Sequence, residues 1–189
     1  MPQHSNRGEL IDGVLRCLER LPWDKVTARE IAAESGANLA SITYHFGSKD
    51  ALITAAVVEG LDRWLAEIAA VLSGLASRTP ADRFRQAAAV AAATRHRHEG
   101  LARMFIGALA RAQHDDRVRD LLTEGFRHSR GDVARVLGLG EDQLGNDAGG
   151  VMLALFDGLL IQALLHPELA IDGDRLIEAE RRLRERLPV

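Results

Sequence analysis

Thr27-Ala-Arg-Glu-Ile-Ala-Ala-Glu-Ser-Gly-Ala-Asn-Leu-Ala-Ser-Ile-Thr-Tyr-His-Phe-Gly-Ser-Lys49 decides the fold of this chain. Two short helices fit the stretch, joined by a turn at Ser35-Gly36-Ala37, and a third helix begins near Ser48. Thr27 and Glu30 form the pattern S/T-x-x-E. Its hydroxyl can accept the amide of residue 30 while the carboxylate reaches back to the amide of residue 27. Ile31 and Ala32 make the buried side of the first short helix, and Ala33 is small enough for close packing. Gly36 ends it, because a left-handed terminal residue costs glycine little. Asn38 is the N-cap of the next helix. Leu39, Ile42 and Phe46 recur at spacings of three and four, with Ile42 and Phe46 expected to face inward. Ser41, Thr43, Tyr44 and His45 are left on or beside the outer face. Ser48 is again an N-cap, with Asp50 in the first turn that follows. Lys49 stands where free amides point outward, which makes a phosphate clamp. A short helix, a tight turn and a helix showing small or planar hydrogen-bonding groups are the layout of a DNA-reading helix–turn–helix.

The same residues resemble the DNA-binding domain of the tetracycline-repressor (TetR) family of bacterial transcription regulators. The matching elements are Thr27 with Glu30-Ile31-Ala32, Ser35-Gly36, Ile42, Tyr44-His45-Phe46 and Ser48-Lys49-Asp50-Ala51-Leu52. They cover the first quarter of the chain; the rest matches in length and helical character. Thr43 stands where many members carry an aromatic residue, and Asn38 where serine is common. Both lie on the reading helix, so they bear on the operator sequence and leave the binding mode as it is.

A chain of 189 residues accommodates a small head and a larger core. Alanine, leucine, arginine and glutamate dominate, all strong helix formers, and no β-branched alternating run is present. The expected fold is all-α, with about nine helices. An N-terminal three-helix DNA-binding domain over residues 1–50 precedes a larger helical effector-binding and dimerisation domain over residues 51–189. The net charge of −3 provides no bulk attraction to nucleic acid. Only the contacting face must be positive, however, and no acid occurs between residues 37 and 47. His4, Arg7, Arg29, His45 and Lys49 supply the local charge. Cys17, the single cysteine, falls in the apolar pattern of the first helix and reads as a small core residue. The first residues have no apolar stretch after a basic start, so no signal peptide and a cytoplasmic location are expected.

The first helix is expected over about residues 8–21, on Leu10, Ile11, Val14, Leu15 and Leu18, ending at Leu21-Pro22-Trp23. The Ser48 helix runs to about residue 73, followed by a loop containing Gly74 and Ser77. Thr79-Pro80 opens another helix, with Asp82 completing a capping-box-like pattern. Arg95-His96-Arg97-His98 closes that helix, where cations suit the C-terminus. Further helices follow over about Glu99–Gln113 and from Asp115-Asp116 to the stop at Gly138 and Gly140.

The segment from about Gly145 to Leu165 is apolar nearly all round, so it is buried on more than one side. Asp157 and Gln162 interrupt it, which argues against a membrane span and for burial by a second subunit. Gly149, Gly150, Ala154 and Gly158 also permit close helix contact. The last helix, about Gly173 to Leu187, has a one-sided stripe through Leu176 and Leu183. The expected dimer interface comprises Val151, Leu155, Gly158, Leu159, Gln162, Leu176 and Leu183. The resemblance implies the same arrangement, with the last two long helices of each subunit forming a four-helix interface.

The resemblance also implies an effector pocket. Trp64, Phe84, Leu101, Met104, Phe105, Phe126, Met152 and Phe156 are the apolar residues available to line one, and the alternative for each is ordinary core. His114, His128 and Gln162 are candidate polar contacts for such a ligand, and the alternative for each is a surface or already satisfied residue. His96 and His98, two apart on a helix, point in different directions and do not share a metal. No phosphate loop, nucleophile elbow or His-Glu-x-x-His motif occurs, so neither catalysis nor a cofactor is expected. Asp115-Asp116 and Glu141-Asp142 are explained as helix caps.

The expected function is a homodimeric, ligand-responsive repressor of a pseudo-palindromic operator. Its DNA-binding residues are Thr27, Asn38, Leu39, Ala40, Ser41, Thr43, Tyr44, His45 and Lys49. An activator or dual regulator on the same fold is the alternative, as is a helical small-molecule-binding protein with a vestigial helix–turn–helix.

Overall fold

Side-chain caps set where the helices of this protein begin. Thr79 Oγ1 accepts the Asp82 amide at 3.2 Å and donates to the Asp82 carboxylate at 2.8 Å. That bond holds the Asp82 carboxyl below its usual range. Asp115 Oδ1 accepts the Val118 amide at 3.1 Å, and Asp142 Oδ1 accepts the Gly145 amide at 2.9 Å. The acid pairs read as caps therefore act as caps, satisfying amides that have no partner inside the helix. Gly138, with φ +69°, ends a helix whose Leu139 amide reaches the Ala134 carbonyl at 2.9 Å. That is a left-handed helix stop, as its glycine suggested.

The computed structural model describes residues 6–21, 25–73, 79–171 and 173–187. His4, Pro22, Trp23, Gly74 and Ser77 lie outside them. Among the described residues the chain is all-helical: α1 (Asn6–Arg20), α2 (Ala28–Ser35), α3 (Leu39–Phe46), α4 (Lys49–Ser73), α5 (Pro80–Thr94), α6 (Glu99–Arg111), α7 (Asp116–Leu137), α8 (Gln143–Leu165) and α9 (Gly173–Arg186). The basic run Arg95–His98 is a separate 3-10 turn between α5 and α6. His96 and Arg97 are exposed there, while the His98 ring stacks on Trp64 with centroids 4.6 Å apart.

Packing divides the chain into two compact units: residues 1–64 with 97–127, and residues 65–96 with 128–189. The expected boundary at residue 50 does not follow this packing, which groups α1–α3 with most of α4, with α6 and with the start of α7. In the first unit Leu10, Val14, Ile31, Ile42, Phe46, Leu52 and Val57 share one core with Met104, Phe105, Val118 and Leu122. Cys17 is fully buried there, and burial pushes its thiol up, so the small-core-residue reading holds. Glu34 ties α2 to α1 by accepting Arg16 Nε at 3.0 Å and pairing with Arg20.

In the second unit α7 and α8 cross at Gly149, where an added Cβ would stand 2.2 Å from the Arg130 carbonyl oxygen. Gly149 thus serves a contact within the chain. Gly158 has nothing within 4 Å of such a Cβ. Arg83 Nη1 donates to the Val136 carbonyl at 3.2 Å and joins α5 to the end of α7. By length and composition α8 could cross a membrane, and most of it is left uncovered by its own chain. Val151, Leu155 and Leu165 are exposed at 69%, 39% and 74%.

Asp157, also on α8, is pushed up to about 6 because burial disfavours its charged form. Its protonated form stabilises the fold fully below the ordinary value of 3.8, and that contribution is lost as pH rises through about 6. Asp157→Asn is therefore expected to stabilise the protein by about 1–2 kcal/mol above pH 7, after discounting for water access. Urea unfolding at pH 7.5 and pH 4 checks it: the gain should shrink at the lower pH.

Candidate nucleic-acid interface

α2 and α3 carry the residues expected to read DNA, and side-chain caps set where both helices begin. Thr27 Oγ1 accepts the Glu30 amide at 3.2 Å. Among the described residues this is the only half of the expected capping box that forms, since no bond returns from the Glu30 carboxylate. Gly36 ends α2 with φ +69°. Asn38 then caps α3: its Oδ1 accepts the Ser41 amide at 2.9 Å and the Ser41 hydroxyl at 3.1 Å. Ser41 keeps acceptor lone pairs, while its proton is engaged with Asn38.

Helical spacing splits α3 into two faces. Ile42 and Phe46 are buried at 4% and 3% exposure, whereas Leu39 and Tyr44 are exposed at 48% and 84%. Ala40 and Thr43 are also exposed, and Ser41 and His45 are half-buried. The Tyr44 and His45 rings meet edge-on, with centroids 4.9 Å apart. The eight residues of α3 extend about 12 Å, comparable to the width of a DNA major groove.

Gly47 ends α3 with φ +79°, and Ser48 Oγ accepts the Ala51 amide at 3.0 Å to start α4. Lys49 is exposed in the first turn of α4. Of the other predicted cations, Arg29 is exposed at the start of α2. Arg7 instead lies over the Phe46 ring, 5.2 Å from its centroid, so it supports α3 from behind. Two arginines from α6 and α7 also approach the α3–α4 turn. Arg111 Nε stands 3.7 Å from Asp50 Oδ1, and Arg117 lies against Gly47. Motif reading does not find them, because they follow the motif by some sixty residues or more.

The residues read as pocket-lining have differing surroundings. Leu101, Met104 and Phe105 sit at 3–5% exposure in the core of the first unit. Phe126 packs on that core, its ring centroid 6.0 Å from that of Phe105. Trp64 is buried at 2% under His98. Phe84, Met152 and Phe156 are half-buried residues of the second unit. An open cleft of about 390 Å³ beside the start of α8 is lined instead by polar groups, including Arg135, Glu141, Asp142 and Asn146. His114 and His128 are exposed, and His128 Nε2 stands 3.1 Å from Asp132.

The interface set concentrates on α8. Val151, Leu155 and Gln162 are exposed, with Gly158 and Leu159 half-buried between them. Leu183 on α9 is exposed at 58%, while Leu176 at 8% is already covered by its own chain.

Residues 10–56 match the model of the tetR family of bacterial regulatory proteins. No relative among the curated proteins matches the sequence. Several solved structures share the fold. A TetR transcriptional regulator from Rhodococcus sp. RHA1 is similar at TM-score 0.66 and 16% identity, over 90% of this chain and 92% of that one. A protein from Saccharomonospora viridis, solved in complex with choline, is similar at TM-score 0.60 and 19% identity, over 96% of each chain. The multidrug binding protein EbrR, complexed with imidazole, is similar at TM-score 0.60 and 22% identity, over 85% of each chain.

Proposed function

We propose that this chain, which belongs to the tetR family of bacterial regulatory proteins and is a DNA-binding transcription regulator, acts as a homodimeric repressor released from a pseudo-palindromic operator by a small-molecule effector. The outward face of α3 carries the reading: Leu39 and Tyr44 are 48% and 84% exposed while Ile42 and Phe46 hold the opposite face. Placed in the major groove, α3 brings Leu39, Ala40, Ser41 and Thr43 nearest the base edges. Asn38 shapes its start, and Thr27, Tyr44, His45 and Lys49 hold phosphates. With side chains this short, specificity rests on contact with thymine methyls and on DNA shape.

The second copy is supported by α8. Leu144, Val151, Leu155, Gly158, Gln162 and Leu165 recur at spacings of three, four and seven, the seam of a helix that packs on another helix. Leu159 and Leu183 extend that apolar face, and Leu176 anchors α9 from within. Two heads joined in this way sit about 34–36 Å apart, one turn of DNA. Residues 1–50 then read the operator, while residues 51–189 dimerise and bind the effector, in the cytoplasm.

The choline and imidazole complexes of proteins with this fold support a small-molecule effector. Phe84, Met152 and Phe156 are the half-buried aromatic and thioether groups it reaches without opening the first unit's core. Binding favours a DNA-incompetent state, and release requires a large difference in affinity between the two states. A reporter fused to the bound promoter tests the sign. Deleting the gene should raise transcription; a fall would make the protein an activator.

A further inference from the structure

The arginines of α6 and α7 differ in how their charge is used. Arg103 donates to Glu99, Arg119 to Asp116 at 2.6 Å, and Arg111 faces Asp50 at 3.7 Å. Arg117 makes no hydrogen bond or ion pair among the described residues, and it is exposed. Of its acidic neighbours, Asp116 holds Arg119, Asp115 caps the Val118 amide and Asp50 faces Arg111, while Asp120, three residues on along α7, makes no ion pair with it among the described residues. Its guanidinium rests on the turn that ends the reading helix. A Cβ added to Gly47 would stand 2.3 Å from Arg117 Nη1 and 3.1 Å from Cζ. Gly47 therefore meets two demands, a left-handed φ of +79° and room for this side chain. Any other residue there would push the guanidinium away from the turn.

We propose that Arg117 is a DNA-binding residue supplied from outside the helix–turn–helix, its guanidinium holding a backbone phosphate beside Lys49. The proposal rests on the DNA-contact surface described above. Gly47 is two residues from Lys49 and three from Tyr44, so the three groups border one turn of chain, within about 4 Å per residue. A phosphate needs a cation that has no carboxylate to give up, and a guanidinium can offer it two parallel donors. In a chain of net charge −3, such an uncompensated cation at the contact face counts for more than the bulk charge. Phosphate contacts position a protein on DNA without reading sequence, so Arg117 contributes affinity alike on all duplexes.

The test uses the full-length protein, a duplex that it recovers from a random pool, and a scrambled duplex of equal length. Arg117→Gln should weaken binding to both by about tenfold and reduce the slope of log affinity against log salt by about two per dimer. The melting temperature should stay unchanged, and Arg117→Lys should restore most of the slope. An unchanged slope in Arg117→Gln overturns the proposal, whether or not stability falls. Lys49→Gln separates the two layers of the argument. If it lowers the slope while Arg117→Gln does not, Arg117 alone is misassigned. If neither variant changes the slope, the whole contact surface is misplaced and Arg117 falls with it.

Discussion

Val151→Asp should turn the protein into a monomer at micromolar concentration and cost at least about a hundredfold in operator affinity. Val151 is 69% exposed, so the aspartate meets water in a single chain and the fold should survive. In a dimer the same position lies on the seam with Leu155, Gly158 and Gln162. There the substitution removes apolar contact and buries two carboxylates near each other, which neither side can neutralise. The DNA loss follows from geometry. A linked pair of heads makes the second half-site contact intramolecular, and breaking the link forfeits that gain. Sedimentation checks the oligomeric state, helical circular dichroism checks the fold, and fluorescence anisotropy on the operator checks affinity. A dimer that survives the substitution would move the interface away from α8.

Tyr44→Ala should weaken binding to every duplex alike, by about ten- to a hundredfold for the two heads together. Substituting Ser41 or Thr43 should instead change which duplex is preferred. The division comes from the faces of α3. Tyr44 is 84% exposed and precedes the α3–α4 turn, the side of α3 proposed to face the DNA backbone. Ser41 and Thr43 lie further back on the helix, and each wrong base pair costs about 1–3 kcal/mol where side chains read bases. Ser41 also donates to Asn38 at 3.1 Å, so Ser41→Ala loosens the cap as well as the reading face. Competition between selected and scrambled duplexes separates the two classes. Equal effects of both on specific and scrambled DNA would refute the assignment.

What could be read in the sequence was local. Thr27, Asn38, Ser48, Thr79, Asp115 and Asp142 each accept the amide three residues on, so the helix starts followed from short-range chemistry. The inner face of α3 followed from spacing in the same way. Partners distant in sequence did not. An apolar stripe shows that a helix is covered, but not by what. Leu101, Met104 and Phe105 thus read equally well as pocket lining or core, and they pack with Leu10, Ile31 and Phe46 of the head. Gly149 read as a site of close approach, and its partner is Arg130 of the same chain. His98 read as part of a basic run closing a helix, and its ring stacks on Trp64. Arg117 carried no signal at all, because only folding brings it to Gly47.

Selection of bound sequences from a random duplex pool tests the central claim most directly. A dimer with two copies of the α2–α3 surface should recover a pseudo-palindrome whose half-sites are centred 10–10.5 base pairs apart, or a multiple of that spacing. Recovery of an isolated half-site, or no enrichment over the starting pool, would contradict it.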